Sequence, residues 1–426
     1  MDLWRGRLNR GMAGKIFDWY LNFDRKRIYT PLYYLAMIIY FPLMLISISY
    51  FQPQLGEQGI KVVHYTRILA YLIFLLIVGD GVAKSSLKEM CKKKFPPMSQ
   101  IILVGMLAVS IISAYFSRKS EAFVIMLIIA ATVEVKPDTK KLFMLIAGIQ
   151  FCSIIFFWYL SMEGILPNEI RDLDRGILGR HSFGFAYVTF PPMLMLFITM
   201  EYIYARGVET VTLTEMGILG VINYILFRYC VSRNSVIIAG VYLMSVFLYK
   251  YLSVIIDKLM ALGMKIYGML IAVLLAVSFL GPGLYVKYWK GDVSEELGTL
   301  TARLWLSYSA MQRYNVFTLF GQKIEWEAPL LGENKGDYIF VDNAYLHLLL
   351  DFGVVFFVVV ILIYLFIIDT FKVKNEYINC IMMILILVLA VVDPRLWVLV
   401  FNPFPLLLSI GYEDMIIKMT LRRKKK

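Results

Sequence analysis

Three stretches of this chain carry groups that could hold an anion or move a proton. The first, GRHSFGFAYVTFPP (residues 179–192), sets Arg180 beside Ser182, Gly184 and Tyr187, with Pro191 and Pro192 placed to open a helix shortly after. The second, TLTARLWLSYSAMQRYNVFTLFGQ (299–322), brings Arg303, Trp305 and Tyr308 within two helical turns, followed by Arg313 and Gly321. The third, VDNAYLHLLLDFGVVFFVVVILIYLFIID (341–369), opens on Asp342, Asn343 and Tyr345. Its Asn343, His347 and Asp351 recur every four residues and so share one drifting helical stripe. A guanidinium offers parallel donors to an anionic oxygen, and a carboxylate or imidazole can take a proton from a hydroxyl.

Each group also has a plainer reading. Arg180 could snorkel to lipid headgroups. Residues 300–319 could form an interfacial amphipathic helix with an aromatic belt. Asp342 and Asn343 could simply cap a helix, with His347 and Asp351 satisfied by neighbouring helices, such as the one begun by Arg233 and Asn234. Asp172-Leu173-Asp174 has the spacing of a metal-holding pair of carboxylates, but pairing with Arg171 and Arg175 accounts for it more simply. Cys91, Cys152, Cys230 and Cys380 are scattered, form no CxxC pair and read as free thiols rather than a zinc site or disulfide framework. No metal ligand set and no cofactor motif is indicated.

The elements that must position these groups lie in a membrane. Of the 426 residues 60% are hydrophobic and only 17% charged, which excludes a soluble globular protein. Apolar runs near 31–51, 67–83, 99–116, 121–135, 142–160, 182–204, 211–229, 234–250, 265–281, 343–368, 377–392 and 395–411 predict an all-α polytopic integral membrane protein of about twelve transmembrane helices. The fourth is short, and Pro403 and Pro405 interrupt the last. Residues 1–30 form a basic cytoplasmic segment, 31–281 carry helices one to nine, 343–411 carry helices ten to twelve, and 412–426 form a basic cytoplasmic tail.

Lys and Arg mark the cytoplasmic side. The N-terminus, the loop with Lys92, Lys93 and Lys94, and the final RRKKK all fall inside if both termini are cytoplasmic. The net charge of +12 is then a matter of topology and lipid headgroups, with no support for a nucleic-acid partner. Two segments on the outer face exceed the usual short connections: 161–181 and, between helices nine and ten, the large loop 282–342. Asp351 would sit roughly 12 Å deeper than Asn343. An ionised carboxylate at that depth costs on the order of 3 kcal/mol unless it faces protein or water, so something polar must meet this helix.

In this order and at these places, the three stretches resemble the Wzy-type polymerases of O-antigen and capsular polysaccharides, a family related to the O-antigen ligases. The likeness rests on Arg180 followed by Ser182, Gly184 and Phe185; on Arg303 with Trp305 before a loop ending in Gly321; and on Asp342, Asn343, Tyr345 and Leu346 with Gly353 downstream. Two departures matter. Related ligases commonly carry a His where this chain has Asp342, with His347 a helical turn further on, and a His-Pro-Asn string where it has Ala186-Tyr187-Val188. The first favours a polymerase over a ligase.

The resemblance implies a GT-C-like fold in the bacterial cytoplasmic membrane. It implies a metal-independent glycosyltransferase that joins polyprenyl-diphosphate-linked oligosaccharide repeat units at the outer face, in capsule, exopolysaccharide or O-antigen synthesis. Partners would be the lipid-linked donor and acceptor, membrane lipids and a chain-length regulator. The diphosphate leaving group gathers negative charge, which fixed guanidinium groups can meet. Arg180 and Arg303 are the first choices for that clamp, with Arg171, Arg175, Arg233 and Arg313 as further binding candidates. Asp342, then His347, are candidates for the group that takes the acceptor's proton. Ser182, Trp305, Asn343 and Tyr345 would contact sugars. The competing readings are an O-antigen-ligase-like transferase to another acceptor and a flippase for lipid-linked oligosaccharides.

Overall fold

The computed structural model describes residues 20, 24–91, 97–171, 179–288, 299–326 and 340–412, with the backbone alone given at 88–91, 171 and 299–300. Most of the basic N-terminal segment, the tail after 412, Asp172, Asp174 and Arg175 therefore lie outside the described residues, as does the side chain of Arg171.

Hydrocarbon offers no partner to a backbone N–H or C=O, so an apolar chain in lipid satisfies them within helices. The described chain is nearly all helix: α1 (Arg25–Ser47), α2 (Gly56–Cys91), α3 (Met98–Ser117), α4 (Glu121–Val135), α5 (Thr139–Met162), α6 (Phe190–Arg206), α7 (Leu213–Cys230), α8 (Arg233–Gly263), α9 (Tyr267–Tyr288), α10 (Thr299–Arg313), α11 (Ala344–Val373) and α12 (Tyr377–Leu389). A small antiparallel hairpin of β1 (Ile170–Arg171) and β2 (Arg180–His181) precedes α6. Among the described residues seven helices, α1, α2, α3, α5, α8, α9 and α11, are long and apolar enough to cross a membrane.

Burial sorts the helices into an axis and a periphery. Helices α4 and α6 are buried almost throughout, Thr132 of α4 and Thr199 and Glu201 of α6 included, and α11 is the most buried of the long helices. By contrast α2, α3, α8 and α9 expose apolar faces, among them Leu69, Leu72 and Leu76, Ile111 and Phe116, Ile255 and Leu259, Met269 and Leu280. Exposed apolar surface on that scale belongs against lipid.

Antiparallel neighbours give the bundle two ends. At one end Tyr50 N–H donates to Gly184 O at 2.9 Å, Arg180 Nε to Cys230 O at 3.1 Å and Ala344 N–H to Ala390 O at 2.8 Å. At the other, Tyr34 donates to Asp138 O, Tyr267 to Asp369 and Lys372 to Met264 O. All three stretches singled out in the sequence lie at the first end.

Several expected boundaries shift. The apolar run 182–204 becomes a helix only from Phe190, because Phe183 (φ 49°) and Gly184 (φ 81°) turn the chain over the end of α1. Helix α9 continues to Tyr288, into the expected large loop, and α10 stops at Arg313 rather than Leu319. Past that end, Asn315 Oδ1 accepts from Phe317 N–H and turns the chain. The run 395–411 is not an α-helix at all: Pro394, Pro403 and Pro405 leave two short 3₁₀ segments, Arg395–Trp397 and Phe404–Ile410. Irregular backbone inside a bundle needs side-chain partners. Asn402, fully buried, donates to Tyr364 Oη and Leu396 O, while Gln150 donates to Val400 O.

Candidate functional site

Helix α10 lies over the start of α11 because of a small second core. Ala310, Ile324, Val341, Leu346 and Leu350 pack together there, flanked by Tyr314 and Trp326. Arg303, Ser307 and Ala310 fall on one face of α10 by their four- and three-residue spacing, so seating Ala310 turns Arg303 toward the start of α11. There Arg303 Nε lies 2.8 Å from Asp342 Oδ2, each side chain 27% exposed. Asn343 is the helix cap, its Oδ1 accepting from Leu346 N–H at 3.1 Å.

A second ion pair stands beside this one. The stretch after α12 brings Asp393 and Arg395 together, Oδ2 against Nη1, with Arg395 N–H donating to Asp393 Oδ1 at 3.0 Å. The Arg395 guanidinium lies between the rings of Phe190 and Phe401, 5.0 and 4.9 Å from their centroids, and donates from Nη2 to Thr189 Oγ1 at 2.8 Å. Burial raises the Asp393 carboxyl above the usual aspartate range, Arg395 opposes that, and Asp342 and Arg303 are both close enough to act on it. Two ion pairs thus stand near each other, drawn from α10, the start of α11 and the stretch after α12, with Thr189 and Phe190 at the start of α6 against Arg395. Among the described residues no group of three His, Cys, Asp or Glu side chains is placed to hold a metal ion.

Deeper in α11, Asp351 is 2% exposed and fully engaged. Lys119, from the turn between α3 and α4, places Nζ 2.6 Å from Oδ2; Trp326 donates its indole N–H at 3.1 Å; His347 Nε2 lies 3.2 Å away. Trp326 also stacks on His347, with centroids 4.8 Å apart. The other ring nitrogen of His347 faces the Val341 carbonyl at 3.2 Å. Both nitrogens therefore face acceptors, and neither presents a lone pair to an incoming hydroxyl. The neighbours expected for this helix are Lys119 and Trp326, not Arg233, which is exposed at the start of α8.

The 179–192 stretch divides into a corner and a contact. Ser182 is fully buried and its hydroxyl accepts from Glu169 N–H at 2.9 Å, tying the hairpin shut. At Gly184 a Cβ would meet the Phe157 carbonyl at 2.8 Å, and Phe185 packs edge-on against Phe157. Ser182, Gly184 and Phe185 thus build a turn that docks on α1 and α5. Arg180 sits at the C-terminal end of α7, where its guanidinium meets the carbonyl of Cys230. Tyr345 is fully buried and donates to Leu387 O at 2.6 Å, so its hydroxyl serves the α11–α12 contact. Trp305 rests against Tyr308, and Arg313 is exposed over Tyr314.

The structure joins Arg303 to Asp342 and His347 to Asp351, and holds Arg180 on a different helix pair. Sequence reasoning missed Lys119, Trp326, Asp393 and Arg395. A signal for the last two existed: Asp393-Pro394-Arg395 interrupts an apolar stretch, where charges are expensive unless paired. Nothing in the sequence marks Lys119, since a lysine in a turn between two spans is ordinary.

Fold and site define a helical membrane protein with a charged cluster at one end of its bundle. No family model, no curated protein and no solved structure matches the chain.

Proposed function

We propose that this chain, with about twelve spans, is a glycosyltransferase of the bacterial cytoplasmic membrane. It joins polyprenyl-diphosphate-linked oligosaccharide repeat units at the outer face, as a polysaccharide polymerase. The Arg303–Asp342 contact carries this reading: two residues of separate, distant motifs, one suited to an anionic leaving group and one to an acceptor proton, stand 2.8 Å apart. In the reaction the acceptor hydroxyl oxygen bonds to the donor's anomeric carbon and its proton passes to Asp342. The bond from that carbon to the diphosphate breaks, and the charge left on the diphosphate is met by Arg303. His347 is held by Asp351 and Val341 O, so the base role falls to Asp342. Arg180 lends positive charge at the same end.

The test is the polysaccharide made by cells carrying Arg303→Ala. Long chains should vanish while single repeat units still reach the surface. Full-length chains in this variant would overturn the reading. Undelivered lipid-linked units held inside deletion cells would instead establish a flippase.

A further inference from the structure

The observed contact sets two assigned roles against each other. Arg303 cannot give its Nε to a diphosphate while Asp342 holds it, and Asp342 cannot turn the oxygen that Arg303 occupies toward an acceptor hydroxyl. We propose that Asp342 is a specificity-determining residue: it occupies Arg303 in place of a ligand phosphate, so that a diphosphate displaces it and the phosphodiester of an ordinary membrane lipid does not. The proposal rests on the polymerase reading and sharpens it.

The charges around the pair supply the reason. Arg303 from α10 and Arg395 from the stretch after α12 balance Asp342 and Asp393, and the cluster is neutral as it stands. Asp393 is fixed, since Arg395 holds it through both guanidinium and backbone N–H, and Arg395 is itself held by Thr189 and two phenylalanine rings. Asp342 is the less enclosed member, 27% exposed and paired with Arg303.

A phosphodiester that replaced Asp342 would bring one negative charge for one. It would also leave the released carboxylate beside Asp393 without its cation. Such a ligand gains nothing electrostatically and pays that repulsion. A diphosphate brings more than one negative charge and two sets of phosphate oxygens, so it more than replaces what Asp342 supplied.

The consequence is practical in a membrane. An uncovered arginine at the lipid boundary would be filled by headgroup phosphates, which greatly outnumber any lipid-linked sugar. With Asp342 in place, headgroups do not occupy Arg303, and arrival of the diphosphate releases Asp342 beside the acceptor. Binding and generation of the base are then one event.

The experiment measures binding of farnesyl diphosphate to the purified full chain in nanodiscs made either of phosphatidylcholine, whose phosphodiester is balanced by its own choline cation, or of phosphatidylglycerol, whose phosphodiester has no such counter-charge. Wild type should bind equally in both, and Arg303→Gln should lose binding in both. Asp342→Asn, which keeps the side chain's shape and removes its charge, should bind about tenfold more tightly in phosphatidylcholine. In phosphatidylglycerol it should fall back, as headgroups compete. Asp342→Glu, which retains a carboxylate, should stay insensitive to the lipid and guards against a folding defect in the amide variant. Unchanged or weaker binding by Asp342→Asn, or equal competition by phosphatidylglycerol in wild type, overturns the proposal while leaving the polymerase reading to the chain-length test. No diphosphate binding by wild type and by Asp342→Asn overturns both.

Discussion

Asp351 shows what a buried charge demands of its neighbours. Its carboxylate is met by Lys119, His347 and the Trp326 indole, drawn from a turn, its own helix and the loop beyond α10. Removing one member of such a set costs more than the set contributes, because the remaining charges stay buried without a counter-ion. Asp351→Ala should therefore destabilise the protein by about 3 kcal/mol or more, read as a lowered melting temperature in detergent. Trp326→Phe keeps the stack on His347 and loses one hydrogen bond to an ion. It should cost about 2 kcal/mol, and a variant as unstable as Asp351→Ala would show that the indole N–H is worth as much to the buried carboxylate as its ionic partners. The sequence made the need for partners plain, since a lone aspartate that deep is untenable. It could not name them, because Lys119 is distant in sequence and the contact depends on how α3 and α4 seat against α11.

Among the elements, α11 is the least regular where it matters most. Gly353 (φ 81°) breaks it, and the strand of loop at Thr318–Gln322 fills the break. Val354 N–H donates to Thr318 O at 2.9 Å and Val355 N–H to Leu319 O at 3.1 Å, while Asp351 O accepts from Gln322 N–H at 3.2 Å. The backbone groups freed by the break are thereby satisfied by the loop that follows the Arg303 helix. Gly321 and Gly353 face each other so closely that a Cβ on either would fall into the other segment's backbone, and both have positive φ. Gly321→Ala or Gly353→Ala should each sharply reduce folded protein in the membrane. Gly148→Ala, in α5 with open space around its Cα, should be neutral or slightly stabilising. Equal melting temperatures for all three would refute the interlock.

The two glycines were legible as motif positions, but their meeting was not, because a sequence pattern does not show which loop returns to which break. Most helices were legible from hydropathy, since lipid rewards one period of structure. The 395–411 run misled for the same reason: it is apolar enough to span, yet its prolines and Asn402 make it a buried irregular wedge.

For the whole molecule, the decisive matter is which end of the bundle faces out. The Arg303–Asp342 pair, the hairpin and the Asp393–Arg395 pair share one end, and the reaction proposed above, on units delivered to the cell surface, needs that end outside. The basic residues of the sequence argue the same way, because the start of α1, the end of α2 and the start of α3, which the N-terminal segment and Lys92 to Lys94 flank in sequence, lie opposite the site. Glu163 and Lys374 are exposed at opposite ends of the bundle. In a background lacking the four native cysteines, Glu163→Cys should react with a membrane-impermeant maleimide added to intact cells. Lys374→Cys should react only after permeabilisation. The reversed pattern would put the charged cluster in the cytoplasm, where surface polymerisation cannot occur, and would leave the pairing of Arg303 with Asp342 to be explained by a substrate met on the inner leaflet.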